Sequence, residues 1–132
     1  YREESEDDLF KRYEAMIAGL RNPRSSIFNV HVPPFGSMLD DAPDLDEQLR
    51  PRLAGNAIRP VGSHSLRQVI EKHQPLLGLH GHIHESPEVS GKWRNWIGQT
   101  VCVQPGQHDD ELVYVLIDTA EMRMERRCVT CR

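Results

Sequence analysis

The order of predicted elements indicates a mixed α/β (α+β) fold. Apolar residues fall at helical spacing over residues 5–21 and again over residues 63–73. Short β-branched stretches lie between and after these helices, in the order helix, strand, long loop, helix and four further strands. The first strands are linked by helices, and the last ones form an antiparallel meander. With 132 residues the chain has the length of one domain, so we expect a single domain over residues 1–132.

Local signals set the ends of the first elements. Ser5 followed three residues later by Asp8 resembles a capping box, which predicts the start of the first helix. Pro23 ends that helix, since the residue before a proline is driven away from helical geometry. A strand is predicted over residues 26–32, and the following Pro-Pro pair ends it because proline cannot donate a hydrogen bond to a ladder.

The second part of the chain is predicted to begin with one long irregular connection over residues 35–62, rich in glycine and proline. Loops of this length in compact domains are usually lids or binding loops. After the helix at 63–73, an apolar strand at 76–79 leads directly into the segment HGHIHES. The remaining strands are predicted at 96–103, 112–117 and 121–129.

Charge and hydropathy exclude several classes of protein. The formal net charge is −4, whereas domains that bind polyanions by bulk charge are strongly basic. No run of 18 apolar residues is present, so no membrane association is predicted. The N-terminal segment is acidic and lacks the apolar region of a signal peptide. It also lacks an initiator methionine, which indicates a processed or partial product.

The chain has three cysteines, an odd number that argues against a disulfide scaffold. Cys102 lies in an apolar run and is expected to pack as a small hydrophobic residue. Cys128 and Cys131 form a C-x-x-C pair, which is half of a zinc site, and their role stays open. This cysteine usage predicts a reducing, cytoplasmic location.

Three histidines, His80, His82 and His84, follow the apolar strand at 76–79. On an extended backbone, His82 and His84 would project to the same side, about 7 Å apart. That spacing suits two metal ions a few ångströms apart, each taking one imidazole. Imidazole is a preferred ligand of Mn, Fe, Zn and Ni.

A further candidate ligand, His31, is placed at the carboxyl end of the predicted strand at 26–32. In α/β sheets, ligands bind at that end of the strands. Taken alone, a histidine there is more often packed or at the surface. Together with the G-H-x-H segment at the end of another strand, His31 becomes a candidate metal ligand.

These segments resemble a known family in their residues and in their order. The blocks are H31-V32-P33-P34, then G81-H82-I83-H84, then V103-Q104-P105-G106. With Gly62-Ser63 and Glu85-Ser86 between them, they resemble the carboxyl-terminal half of the calcineurin-like metallophosphoesterases, in particular the small bacterial and archaeal members.

The resemblance implies the carboxyl-terminal half of a four-layer α/β/β/α sandwich, with a binuclear site for two divalent ions (Mn, Fe, Zn or Ni). His31 and His82 would bind one ion and His84 the other. Hydroxide held between the ions would attack the phosphorus of a phosphodiester or phosphomonoester substrate. His80, Glu85 and Asp40 are expected to support the ligands or to line the rim of the substrate site.

The chain departs from the family in lacking the motifs D-x-H, G-D and G-N-H-D/E of its amino-terminal half. These supply the bridging aspartate, the remaining ligands and the histidine that protonates the leaving group. We therefore expect no catalytic residue in this chain, and one metal ion or none bound by the chain alone. Gln104 also replaces the usual asparagine and Gln107 the usual serine. The acidic run at 40–47 is expected to be a solvated loop.

Two functions remain open from the sequence. The first is a metallophosphoesterase completed by a missing amino-terminal half or by another chain. The second is a non-catalytic module that pairs with another chain or with itself and binds at most one metal ion. Nucleic-acid binding also stays open, because the tryptophans and basic residues at 92–96 indicate either a nucleotide-stacking patch or a hairpin tip. Arg123, Arg126 and Arg127 are expected to form a solvated strand edge.

Overall fold

The computed structural model of the protein describes residues 4–48, 50, 52, 57–107 and 110–130. It contains three α-helices, one short 3-10 helix at Pro23–Ser25 and eight strands among these residues. In chain order they are α1 (Glu6–Ile17), β1 (Ile27–Asn29), β2 (Asp41–Pro43), β3 (Ile58–Pro60), α2 (His64–His73), β4 (Leu77–Leu79), α3 (Ser86–Ser90), β5 (Arg94–Ile97), β6 (Thr100–Val103), β7 (Glu111–Asp118) and β8 (Arg123–Thr130).

The central sheet has four strands in the order β1-β4-β6-β5. Strands β1, β4 and β6 run parallel, and β5 is antiparallel to β6. Asn29, Leu79 and Val103 lie opposite one another at the ends of the three parallel strands. The three strands therefore end at the same border of the sheet, which we call the carboxyl edge.

Each face of the central sheet is covered by a different layer. On one face, α2 packs Leu66 and Ile70 against Cys102 of β6, with Tyr13 of α1 beside them. On the other face, the β7–β8 hairpin covers the sheet residues Leu77, Val101 and Val103. The hairpin contributes Val115, Ile117 and Met124. The mixed α+β fold class is thus confirmed, as helices, sheet and hairpin in three layers.

Both long helices begin where the sequence predicts. The Ser5 hydroxyl accepts a hydrogen bond from the Asp8 N–H at 3.2 Å, which confirms the predicted cap of α1. The Ser63 hydroxyl likewise accepts from the Leu66 N–H at 3.2 Å and caps α2. Helix α1 ends at Ile17, earlier than the predicted residue 21. No helix in the described part of the chain is both long and apolar enough to cross a membrane.

Three sequence predictions about strands are corrected by the structure. The strand predicted at 96–103 is a hairpin, because Gly98 adopts a φ of 60° and turns β5 into β6. The loop at 35–62 contains an antiparallel ribbon of β2 and β3. Residues 49, 51 and 53–56 of that loop lie outside the described residues. Finally, the segment after β4 is a turn followed by α3, not an extended continuation of the strand.

Candidate functional site at the carboxyl edge

His31 and His82 lie side by side at the carboxyl edge. His31 follows β1 and His82 follows the neighbouring β4, so the parallel pairing brings them together. The Gly81 N–H donates to the His31 carbonyl at 2.8 Å, which continues the pairing beyond the strands. Their ring centroids are 5.3 Å apart at an interplanar angle of 70°. Two imidazoles bound to one tetrahedral ion place their centroids about 5 Å apart, so the spacing of this pair matches that of two ligands of a single cation.

The backbone of residues 81–84, which we call the histidine turn, explains the close approach of His31 and His82. A Cβ atom at Gly81 would lie 3.3 Å from both Cε1 and Nδ1 of His31, so the glycine gives that ring its space. His82 has a φ of 70°, a left-handed conformation that is uncommon outside glycine and often found at functional sites. Ile83 is buried, and its N–H donates to the Gly81 carbonyl at 2.8 Å in a tight turn.

The turn overturns the prediction that His82 and His84 project from one extended strand. His84 lies exposed in the turn that precedes α3, and its carbonyl accepts from the Gln107 N–H at 3.1 Å. Within the described ranges, no three His, Cys, Asp or Glu side chains form a group able to hold a metal ion. The structure thus brings His31 and His82 together and leaves His84 outside a shared ligand group.

His80 lies behind this pair and is buried. Its Nδ1 donates to the Val30 carbonyl at 2.9 Å, which ties the end of β4 to the end of β1. Burial lowers the pKa of His80 to about 4, against the opposing effect of its contacts with the Val30 and Val32 carbonyls. A Cβ atom at Gly78 would lie 2.6 Å from its Nε2, so only glycine fits beneath the ring. This position favours support of His31 over a place at the substrate rim.

Asp40 is also placed to support the site from behind. It is fully buried, and its carboxylate accepts hydrogen bonds from the N–H groups of Gly36 at 2.8 Å, Ser37 at 3.0 Å and Gly62 at 3.0 Å. A Cβ atom at Gly62 would lie 2.5 Å from the Pro33 carbonyl oxygen, which excludes a side chain there. Asp40 therefore fastens the segment after His31 to the start of α2, and is not part of a solvated loop.

Gln104 holds the turn after β6 against the histidine turn. Its side chain is fully buried, and Nε2 donates to the carbonyls of Ile83 and Leu39. Its Oε1 accepts from the Gly106 N–H at 2.6 Å. A glutamine at this position therefore joins three segments of the site. Glu85, by contrast, is exposed at the start of α3 and makes no side-chain capping bond, so its place at a substrate rim stays a prediction.

Arg126 contacts the turn after β6, and sequence reasoning missed this position. Predicted to be a solvated edge residue, it is half-buried on the inner face of β8, where its Nε donates to the Pro105 carbonyl at 2.7 Å. Side chains alternate between the two faces of a strand, and Met124 packs against the central sheet. This alternation could have placed Arg126 on the same face as Met124. Arg123 and Arg127 do lie at the surface, paired with Asp118 at 3.3 Å and Glu125 at 2.8 Å.

The tryptophans beside the site differ in burial. Trp93 packs against the central sheet, and the Arg94 guanidinium lies 4.9 Å from its ring centroid. The Trp93 carbonyl accepts from the Gln104 N–H at 2.8 Å, which places this corner at the carboxyl edge. Trp96 is 60% exposed on β5. A nucleotide-stacking role for Trp93 and Trp96 stays a prediction.

Of the two described cysteines, Cys102 and Cys128, neither forms a three-residue metal-binding group with the histidine pair. Cys102 is buried as expected, and burial raises the pKa of its thiol to about 12. Cys128 is exposed, and its thiol donates to a Glu111 carboxylate oxygen at 2.6 Å, which raises the pKa of the thiol. Cys131 lies outside the described residues, so the C-x-x-C pair stays a prediction.

Comparisons with known proteins support the fold. No protein-family model and no curated protein matches the chain. A crystal structure superposes with a TM-score of 0.58 at 19% identity, over 90% of this chain and 38% of the other. The protein TT1561 of Thermus thermophilus superposes with a TM-score of 0.41 at 23% identity, over 78% of this chain and 34% of the other. The chain thus spans little more than a third of the length of these proteins. The first superposition shows that its mixed α/β arrangement recurs within a longer solved chain.

Proposed function

We propose that this chain is the histidine-bearing, carboxyl-terminal part of a divalent-metal-dependent phosphoesterase that hydrolyses phosphodiesters or phosphomonoesters. The observation that carries the proposal is the pairing of His31 with His82, whose ring centroids lie 5.3 Å apart at the carboxyl edge. The three sequence blocks of the resemblance support it. In the fold, all three follow parallel strands that end at this edge.

The three imidazoles of His31, His82 and His84 provide ligands for one cation but too few for two. His31 and His82 would hold the first ion, and His84 would offer one imidazole to a second. Neutral imidazoles alone cannot balance two dications at close range, and the described residues add no carboxylate to form a three-ligand group. The remaining ligands would come from an amino-terminal half or from another chain. When bound, the two cations would stabilise charge on the phosphoryl oxygens and make water more acidic.

The chain's own residues hold the two imidazoles in place. His80 Nδ1 and the Gly81 N–H donate to the carbonyls of Val30 and His31, so the histidine turn and the end of β1 are joined twice. Gln104 fixes the Ile83 carbonyl in the same turn. These bonds hold in place the backbone segments that carry His31 and His82. The proposed role of these groups is therefore to orient, and not to react.

Cobalt titration of the purified chain tests the proposal, because Co²⁺ reports its own coordination through visible absorption. We expect one Co²⁺ per chain, with affinity at least about tenfold weaker in His31→Ala and in His82→Asn. Asparagine is chosen at position 82 because it tolerates a positive φ.

His73→Gln is the matched control, since His73 lies at the end of α2 and contacts Glu14, away from the carboxyl edge. It is expected to leave Co²⁺ affinity unchanged. Absence of Co²⁺ binding by the wild-type chain, or equal affinity in all variants, would contradict the proposed site.

A second candidate function is a non-catalytic module that pairs with another chain or with itself. Exposed apolar side chains favour it: Leu112 and Leu116 on the outer face of β7 are 54% and 47% exposed, and Met16 and Ile27 are 74% and 47% exposed. The latter two border an open groove of about 230 Å³ between α1 and β1. Exposed apolar side chains that lie together on one surface mark sites of protein–protein contact.

Sedimentation velocity tests self-pairing. We expect the wild-type chain to associate as its concentration rises, and the double variant Leu112→Lys/Leu116→Lys to shift toward monomer, because charges on the outer face oppose burial. Trp96→Lys serves as the control, since Trp96 is similarly exposed but lies on β5. A wild-type chain that stays monomeric at all concentrations would rule out self-pairing.

A further inference from the structure

We propose that Arg126 binds the anionic oxygens of the phosphoryl group at the carboxyl edge. The inference rests on the proposed function for the identity of the anion. It extends that function by assigning a substrate-binding role to a side chain outside the three sequence blocks of the resemblance.

The hairpin directs Arg126 toward the site. Side chains on a strand alternate between faces, so Arg126 shares the inner face of β8 with Met124, which packs against the central sheet. Two residues further along β8, the Arg126 Nε donates to the Pro105 carbonyl at 2.7 Å. Pro105 lies two residues beyond the last residue of β6, Val103. The guanidinium is therefore held at the carboxyl edge, above the end of the sheet.

The register of the sheet relates this position to the histidine pair. Asn29, Leu79 and Val103 lie in one row at the ends of the three parallel strands, and His31, Gly81 and Pro105 each come two residues later in the chain. Neighbouring strands are about 4.8 Å apart, so the ends of β1 and β6, which lead into His31 and Pro105, lie on the order of 10 Å apart on either side of β4. A cation bound to an imidazole, a phosphoryl group on that cation and one hydrogen bond together span about this distance.

The turn after β6 also contacts the second histidine of the motif. A Cβ atom at Gly106 would lie 2.9 Å from the His84 carbonyl oxygen, so Pro105–Gly106 packs directly on that turn. Arg126 therefore borders the histidine segment from the side of the hairpin.

The charge of Arg126 is uncompensated among the described residues. The neighbouring arginines on β8, Arg123 and Arg127, are paired with carboxylates, whereas no carboxylate lies within ion-pair distance of Arg126 in the part of the chain that the structure describes. Among the described residues, the one hydrogen bond of the Arg126 side chain is through Nε, and neither Nη atom bonds to a described residue. A half-buried guanidinium without a counter-charge is costly, and two free N–H groups match the oxygens of a phosphoryl group.

Calorimetric titration of the 132-residue chain with inorganic phosphate, with and without Co²⁺, tests the inference. We expect Arg126→Gln to weaken phosphate binding by about 10–100-fold, the range for a charge-assisted hydrogen bond. The phosphate affinity of Arg126→Lys is expected to lie between those of the wild type and Arg126→Gln. Lysine keeps the positive charge but loses the paired N–H groups of the guanidinium. Arg127→Gln, on the opposite face of β8 and paired with Glu125, is expected to bind phosphate as the wild type does.

The outcomes separate this inference from the proposed function. Phosphate binding of equal strength in the wild type and Arg126→Gln, or no phosphate binding by the wild type, would overturn the role of Arg126 whatever the Co²⁺ result. Arg126-dependent phosphate binding in a chain that binds no Co²⁺ would support the arginine site and overturn the proposed metal centre. Circular dichroism verifies that each variant folds. If Arg126→Gln does not fold, the comparison of Arg126→Lys with the wild type decides the test.

Discussion

Replacing Asp40 with alanine is expected to lower the free energy of unfolding by about 3–5 kcal/mol, as measured by chemical denaturation followed by circular dichroism. The buried carboxylate accepts from three backbone N–H groups, those of Gly36, Ser37 and Gly62. Alanine leaves these donors without a partner, and each unsatisfied buried group costs about 1–3 kcal/mol. Asp40→Asn is expected to lower the free energy of unfolding by less, because the amide keeps one acceptor oxygen.

The neighbouring Asp41→Asn is the matched control. Burial and the adjacent Asp40 charge raise the pKa of Asp41, so its ionised form is disfavoured in the folded protein. Removing that charge at neutral pH is expected to leave stability unchanged or slightly higher. An Asp40→Ala variant within about 1 kcal/mol of the wild type would show that water or a rearranged loop satisfies the three donors.

Acidification from about pH 7 to about pH 4 is expected to remove about 3 kcal/mol of stability through His80 alone. Burial lowers its pKa to about 4, whereas an unfolded histidine titrates near 6.5. As the pH falls, the unfolded chain therefore takes up the proton first. The stabilisation is present above the unfolded value and is lost progressively between about pH 6.5 and pH 4.

Denaturation of the metal-free chain across this range isolates the effect when the wild type is compared with His80→Asn. Asparagine can still donate to the Val30 carbonyl but does not titrate. The stability difference between the two proteins is expected to shift by about 3 kcal/mol in favour of the variant on acidification. A difference that stays constant with pH would show that His80 is solvated in the folded protein. His64→Asn, which removes an exposed histidine on α2, is the control.

Much of the scaffold could be predicted because local signals and tertiary structure agree. Ser5 and Ser63 act as caps, and β7 and β8 alternate as their apolar positions indicate. The meeting of His31 with the histidine segment was also predictable in outline. Parallel strands end at one edge of a sheet, whichever residues lie between them in the chain.

The details of the site depend on contacts that no local pattern records. A left-handed His82 follows from the tight turn around buried Ile83, and nothing in the residue type demands it. The supporting role of Asp40 depends on Gly62, which lies 22 residues further along the chain. Arg126 was misread because its charge indicated solvent, whereas the register of β8 directs it inward. Each miss is a case in which tertiary contacts override residue preference.

The parallel pairing of β1 with β4 also bears on how the protein folds. Ile27 pairs with Leu77, so joining these strands closes a loop of about 50 residues and must overcome its chain entropy. Contacts this far apart in sequence slow folding, and the meeting of His31 and His82 depends on such a contact. A ligand bound to both imidazoles would link the two ends of that loop. It would bind only the folded chain and would draw the equilibrium away from the open state.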